Sequence, residues 1–116
     1  MPQQSVKTAD HGTPVSFDGV LLSDVLSKAE VPTGEKLRGK SLLLYAVVEA
    51  SDGYRVLFAL AELDPALSEK RVYLVTKRDG KPLSEEEGPF RIVVPDEKRA
   101  ARWVRQVTAI TIKTAE

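Results

Sequence analysis

Lys98, Arg99, Arg102 and Arg105 fall at i, i+1, i+4 and i+7. On a helix over 98–106 that spacing puts all four on one side and turns Ala100, Trp103, Val104 and Val107 toward the protein. Cations converging on an exposed face hold a phosphate or another anion through charge-assisted hydrogen bonds. Pro95-Asp96, just upstream, can open a helical turn whose free amides add donors. The competing account is a solvated amphipathic turn in which Asp96 and Glu97 offset the charge.

Two further groups carry weaker signals. Asp52-Gly53-Tyr54-Arg55 joins an acid, a phenol and a guanidinium in one polar loop. Asp-Gly is also the usual chemistry of a hairpin turn, which explains the pair by itself. Glu62 and Asp64 could work as an acid–base pair or bind a hard cation, but Asp before Pro65 also suits a capped turn. The phosphate-loop, dinucleotide, zinc-protease, EF-hand and serine-elbow signatures are missing. The chain has no cysteine, which removes thiolate nucleophiles, zinc–sulfur sites and iron–sulfur clusters. Its one histidine, His11, lies in a polar N-terminal stretch.

The elements that must position these groups follow from periodicity. Residues 1–12 are polar and aperiodic, and the expectation is a disordered, mobile tail. Residues 13–116 then make a single domain. Thr13–Phe17 alternates and leads to an Asp18-Gly19 corner. Leu22, Val25, Leu26 and Ala29 form one helical stripe, with Ser23 and Asp24 at its start and Pro32 and Gly34 past its end. Ser41–Glu49 is an apolar run that predicts a strand buried on both faces. Asp52-Gly53 turns it into a strand over Tyr54–Leu60, and Ala61–Leu67 predicts a turn or short helix. Val72–Thr76, Phe90–Val94 and Val107–Lys113 predict three more strands, the first ending in the Arg78-Asp79-Gly80-Lys81 turn. Glu85-Glu86-Glu87 predicts a solvated acidic loop. The fold class is α+β: a mixed or antiparallel sheet with few short helices on one side.

Composition bounds the rest. The chain has 116 residues, 42% apolar and 29% charged, enough for one modest core. Seventeen basic and seventeen acidic side chains cancel, whereas a nucleic-acid partner would select a basic excess. No apolar run approaches the roughly 20 residues of a membrane span. Met1-Pro2-Gln3-Gln4 reads like a start left after a removed leader.

Three stretches in order resemble the sulfite-oxidase-type molybdopterin-dependent oxidoreductases. Phe17–Leu26 (FDGVLLSDVL) is similar to the family's G-V-x-L-x-D-L-L helix opening. Ala50–Pro65 (ASDGYRVLFALAELDP) is similar to its A-x-D-G-Y hairpin and following turn. Leu74–Lys113 passes through R-D-G-K-P-L, G-P-F-R-I-V-V-P and K-R-A-A-R-W-V-R-Q-V-T-A-I-T-I, similar to the stretch that finishes the cofactor domain. The resemblance runs from residue 13 onward and implies a shortened sulfite-oxidase-like molybdopterin-binding fold. It places Lys98, Arg99, Arg102 and Trp103 in the segment that approaches the pterin and its phosphate. It also implies a cysteine ligand to molybdenum, which this sequence lacks.

The resulting expectation is a domain that is not catalytic on its own and binds an anionic ligand, a pterin or a partner protein. Two alternatives stand beside it: a molybdopterin-dependent oxidoreductase completed by a partner chain, and a purely structural or interaction module. By resemblance the protein is expected to be periplasmic or secreted.

Overall fold

The computed structural model describes residues 1–115. Two antiparallel sheets enclose the core. The first contains β1 (Gln4–Asp10), β2 (Thr13–Leu21), β5 (Tyr73–Arg78), β6 (Lys81–Pro82) and β7 (Arg91–Val93). Its order is β1-β2-β5-β6, with β7 also on β5. The second has three strands in the order β4 (Arg55–Ala59), β3 (Leu44–Ala50), β8 (Val107–Thr114). The helices are short: α1 (Leu22–Lys28) and α2 (Leu60–Leu63). No helix among the described residues is long and apolar enough to cross a membrane.

Several expectations are corrected. The single sheet is two, while of the mixed and antiparallel alternatives the structure takes the second, every strand pair being antiparallel. Most of the predicted tail is strand β1, paired to β2 from Gln4↔Gly19 to Asp10↔Thr13. Its inward positions are Val6 and Asp10. An apolar alternation is therefore missing, because a buried carboxylate takes one of the places an aliphatic residue would mark.

Asp18-Gly19 is not a corner. Strand β2 runs through it with a register shift against β5. A Cβ on Gly19 would sit 2.2 Å from Leu74 O and 2.5 Å from Val75 Cα, so glycine permits the close approach of the two backbones. The strand expected over 41–49 begins only at Leu44, because Gly39–Leu43 forms a 3-10 turn. Gly39 has φ +60, and Ser41 Oγ accepts from Arg38 N–H at 2.8 Å. Only one face of β3 is buried, through Ala46, Val48 and Ala50.

Helix α1 carries the predicted stripe, with Leu22 and Leu26 buried. Neither Ser23 nor Asp24 caps it; Leu21 occupies the cap position, and Leu22 N–H donates to Val72 O at 2.8 Å. The helix start is thus tied to the chain entering β5. Phe17, Phe58, Leu22, Val48, Val75 and Ile92 fill the space between the sheets.

A neutral ion cluster closes one end of the core. Arg91, only 1% exposed, donates to Glu87 at 2.8 Å and to Asp10 at 3.3 Å. Arg78 donates to Glu87 at 3.0 Å and also pairs with Asp10. The Arg91 guanidinium lies 5.6 Å from the Phe17 ring centre and 5.7 Å from that of Trp103. Glu87, read as part of a solvated acidic loop, is an inward-facing member of this cluster.

Candidate functional site

The connection from β7 to β8, residues 94–106, carries all the predicted site residues. Its helical reading is corrected: only Ala100–Arg102 forms a 3-10 turn, bounded by extended Arg99. Without a continuous helix, the four cations do not share one face. Trp103 does turn inward, as expected, and is 7% exposed. Its Nε1–H donates to Val94 O at 3.1 Å, and its ring meets Phe17 edge-on at 6.4 Å.

Arg102 is engaged inside the protein. It donates to Glu62 at 2.8 Å, to Leu57 O at 2.9 Å and to Glu97 at 3.1 Å, with a further Nη2 contact to Glu97. Its guanidinium stacks 4.2 Å from the Phe58 ring centre. Lys70 adds contacts of 3.2 Å to Glu97 and 3.7 Å to Glu62. Two cations and two carboxylates therefore cancel locally. Burial pushes Glu62 and Glu97 up, but hydrogen bonds from Arg102 outweigh it and hold both below the ordinary glutamate range. Hydrogen bonds to Glu97 first, then Glu62, hold the guanidinium above its ordinary value.

Lys98, Arg99 and Arg105 are exposed, and none makes an ion pair among the described residues. Two shallow grooves flank the turn. One, about 390 Å³, is lined by Lys70, Asp96, Glu97, Lys98, Arg99, Ala101 and Arg102. The other, about 230 Å³, is lined by Ala50, Asp52, Tyr54, Ala100, Ala101, Trp103, Val104 and Arg105. The structure thus brings Lys98, Arg99 and Arg102 to one groove and puts Trp103 on the other, with Ala101 between. Tyr54 O–H donates to Ala101 O at 2.5 Å, tying the β3–β4 turn to this loop. Asp52 accepts from Tyr54 N–H at 3.0 Å, the turn role weighed for it.

Glu62 and Asp64 do not work as a pair. Glu62 caps α2 through Ala59 N–H at 2.9 Å, while Asp64 accepts from Gly34 N–H at 2.6 Å and Ala66 N–H at 2.9 Å. Sequence reasoning weighed Glu97 as offsetting the charge of the cluster but missed Glu62 as a partner of Arg102. The spacing of Glu97 and Arg102 was visible in the chain, but the return of α2 against the loop was not. It also missed Arg91, a charge inside the apolar run FRIVV whose isolation was a legible signal.

This fold and loop define a small antiparallel domain with a basic rim and a neutralised arginine centre. The chain belongs to the oxidoreductase molybdopterin-binding domain family, whose model matches residues 3–116. No curated protein matches it.

The residues present do not fit a complete molybdenum cofactor. Among the described residues no group of three His, Cys, Asp or Glu side chains is placed to hold a metal. The sequence offers no thiolate, the soft anionic donor that would bind molybdenum. The second groove is below, and the first near the lower end of, the range of about 300–1,000 Å³ usual for small-molecule sites. Trp103 is buried, and Arg102 would have to leave both carboxylates to meet a phosphate.

Proposed function

We propose that this domain is a member of the molybdopterin-binding family that performs no oxygen transfer by itself and uses the rim of the 94–106 loop to hold an anionic ligand. The observation that carries the reading is the division of the cations. Arg102 is neutralised by Glu62 and Glu97, whereas Lys98 and Arg99, at the edge of the same groove, make no ion pair among the described residues. Arg102 then fixes the loop, and Lys98 and Arg99 supply the grip. A phosphate-bearing ligand fits this rim, because compact anionic oxygens accept from ammonium and guanidinium donors together. Arg105 and Tyr54 border the adjoining groove, where the flat part of such a ligand would lie.

A second reading is an oxidoreductase completed by a partner chain. Family membership and the openness of both grooves favour it, and the partner would have to bring the missing thiolate.

The test is expression in a host that makes molybdopterin, followed by metal analysis, pterin fluorescence and titration with inorganic phosphate. The proposal expects no stoichiometric molybdenum or tungsten. It also expects phosphate binding that Lys98→Glu plus Arg99→Glu abolishes without a change in melting temperature. Molybdenum near one per chain in the isolated protein would overturn it.

A further inference from the structure

The three-stranded sheet has two outer edges, and they are finished differently. Ala115 N–H donates to Leu43 O at 3.0 Å, which fixes the alternation of the β3–β8 ladder. Beyond the irregularity at Ala50↔Val107, odd-numbered residues of β8 bond to β3, and the amides and carbonyls of Ile110 and Ile112 point outward. The same alternation points Leu57 and Ala59 outward on β4. Two of those groups are covered by side chains: Leu57 O accepts from Arg102, and Ala59 N–H donates to Glu62, both at 2.9 Å. On β8 only the start is covered, where Val107 N–H donates to Phe90 O at 2.9 Å. Among the described residues nothing bonds the outward groups of Ile110 and Ile112.

An open edge is usually blunted by proline, charge or a bulge. The stretch Ala109-Ile110-Thr111-Ile112 has neither proline nor charge, and the register irregularity, at Thr108, lies just before it. Beside it runs an apolar groove of about 230 Å³ that includes Leu74, Phe90 and Ile110. Ile110 and Ile112 are themselves only half-buried.

We infer that β8 pairs antiparallel with β8 of a second copy of this chain, about a two-fold axis at Ile110, joining two three-stranded sheets into one. A second copy fits because the pairing is self-complementary. With Ile110 opposite its mate, the outward amide and carbonyl of each Ile110 satisfy those of the other, and Ile112 of each copy extends the ladder toward the bulge at Thr108. The even-numbered side chains share the core-facing side, so Ile110 and Ile112 of each copy close over the Leu74–Phe90 groove of the other. The charges agree as well. The two Lys113 residues, the only charges of β8, lie about 20 Å apart at the strand rise. Each is diagonal to Glu49 of the other copy at about 12 Å between Cα atoms, within reach of two extended side chains.

Sedimentation velocity over a wide concentration range, with single-cysteine crosslinking, tests the pairing. The wild-type chain is expected to show a monomer–dimer equilibrium. Thr111 is exposed, and Thr111→Lys sets like charges across the axis, so it should raise the dimer dissociation constant about tenfold or more with an unchanged circular dichroism spectrum. The native chain has no cysteine, so Thr111→Cys should crosslink between copies under a short bismaleimide, while Leu57→Cys on the capped edge should not. A chain that stays monomeric at every concentration overturns the inference. So does a dimer indifferent to Thr111→Lys, or one that crosslinks through Leu57→Cys instead.

Discussion

Replacing Arg102 with methionine separates its two assigned roles. The substitution keeps an unbranched side chain over Phe58 and removes the guanidinium that bonds Glu62, Glu97 and Leu57 O. The side chains concerned are 24%, 26% and 17% exposed for Arg102, Glu62 and Glu97. They lie between an exposed pair, worth about 0–1 kcal/mol, and a buried one, whose breaking costs about 3–5 kcal/mol. Lys70 remains to offset one carboxylate, so we expect a loss of about 2–3 kcal/mol. At about 4 °C per kcal/mol for a domain of this size, the melting temperature falls by about 8–12 °C. Thermal melts by circular dichroism at neutral pH measure it. The sign of a second change sharpens the test. In the wild type Glu97→Gln destabilises, because it weakens a bond to Arg102. In the Arg102→Met background it should be neutral or stabilising, because it relieves the repulsion between Glu62 and Glu97. A melting temperature within about 2 °C of wild type for Arg102→Met refutes the assignment, since under 1 kcal/mol is the worth of a solvated pair.

Other expectations follow from the same packing. Trp103→Ala removes a buried ring and its bond to Val94 O, and should cost about 3–5 kcal/mol in denaturant titrations; an unchanged midpoint would mean that the ring faces solvent. Arg91→Ala strands Asp10 and Glu87 against Arg78 alone, costs about 3–5 kcal/mol, and should first loosen β1, read as lost amide-exchange protection over residues 4–10. Gly19→Ala drives a Cβ into the β5 backbone and should cost about 1–3 kcal/mol in the same titration. The pH dependence has a fixed sign. Burial pushes Asp10, Glu62, Glu87 and Glu97 up, but their arginine partners prevail and all four lie below their ordinary values of 3.8 for Asp and 4.5 for Glu. Groups lowered on folding contribute stability above the unfolded value and lose it as pH falls through the folded one. Urea midpoints should therefore hold steady above about pH 5 and fall steeply below about pH 4.5. A flat profile to pH 3 would contradict both ion clusters.

The parts of the fold legible in the sequence are those written in apolar periodicity or turn chemistry. The stripe of Leu22 and Leu26 made α1, and Asp52-Gly53 and Asp79-Gly80 made the turns expected of them. What escaped was written in charge. Strand β1 buries Val6 and Asp10, and half of that pattern is invisible to hydropathy. Glu87 looked solvated because its neighbours Glu85 and Glu86 are, yet it meets Arg91 within hydrogen-bonding distance. Ser41–Leu43 read as strand because it is apolar, but Gly39 at positive φ and the Ser41 hydroxyl close a 3-10 turn first.

The basic cluster shows why counting cations along a chain overstates an anion site. Helical spacing gave Lys98, Arg99, Arg102 and Arg105 equal standing, but availability depends on which carboxylates the tertiary fold returns to each. Glu97 is close in sequence to Arg102, and Glu62 is forty positions away and delivered by α2. Together they turn Arg102 inward, where it also covers Leu57 O on the edge of β4. One guanidinium therefore covers a carbonyl of the sheet edge and pins the loop, leaving the proposed ligand rim to Lys98 and Arg99. If a ligand did recruit Arg102, it would have to displace two carboxylates and expose that edge together. That cost would appear as weaker anion affinity, because a ligand that binds only the folded chain still stabilises it. Phosphate affinity that Glu62→Gln leaves unchanged thus argues for the rim, and affinity that this substitution raises argues for Arg102.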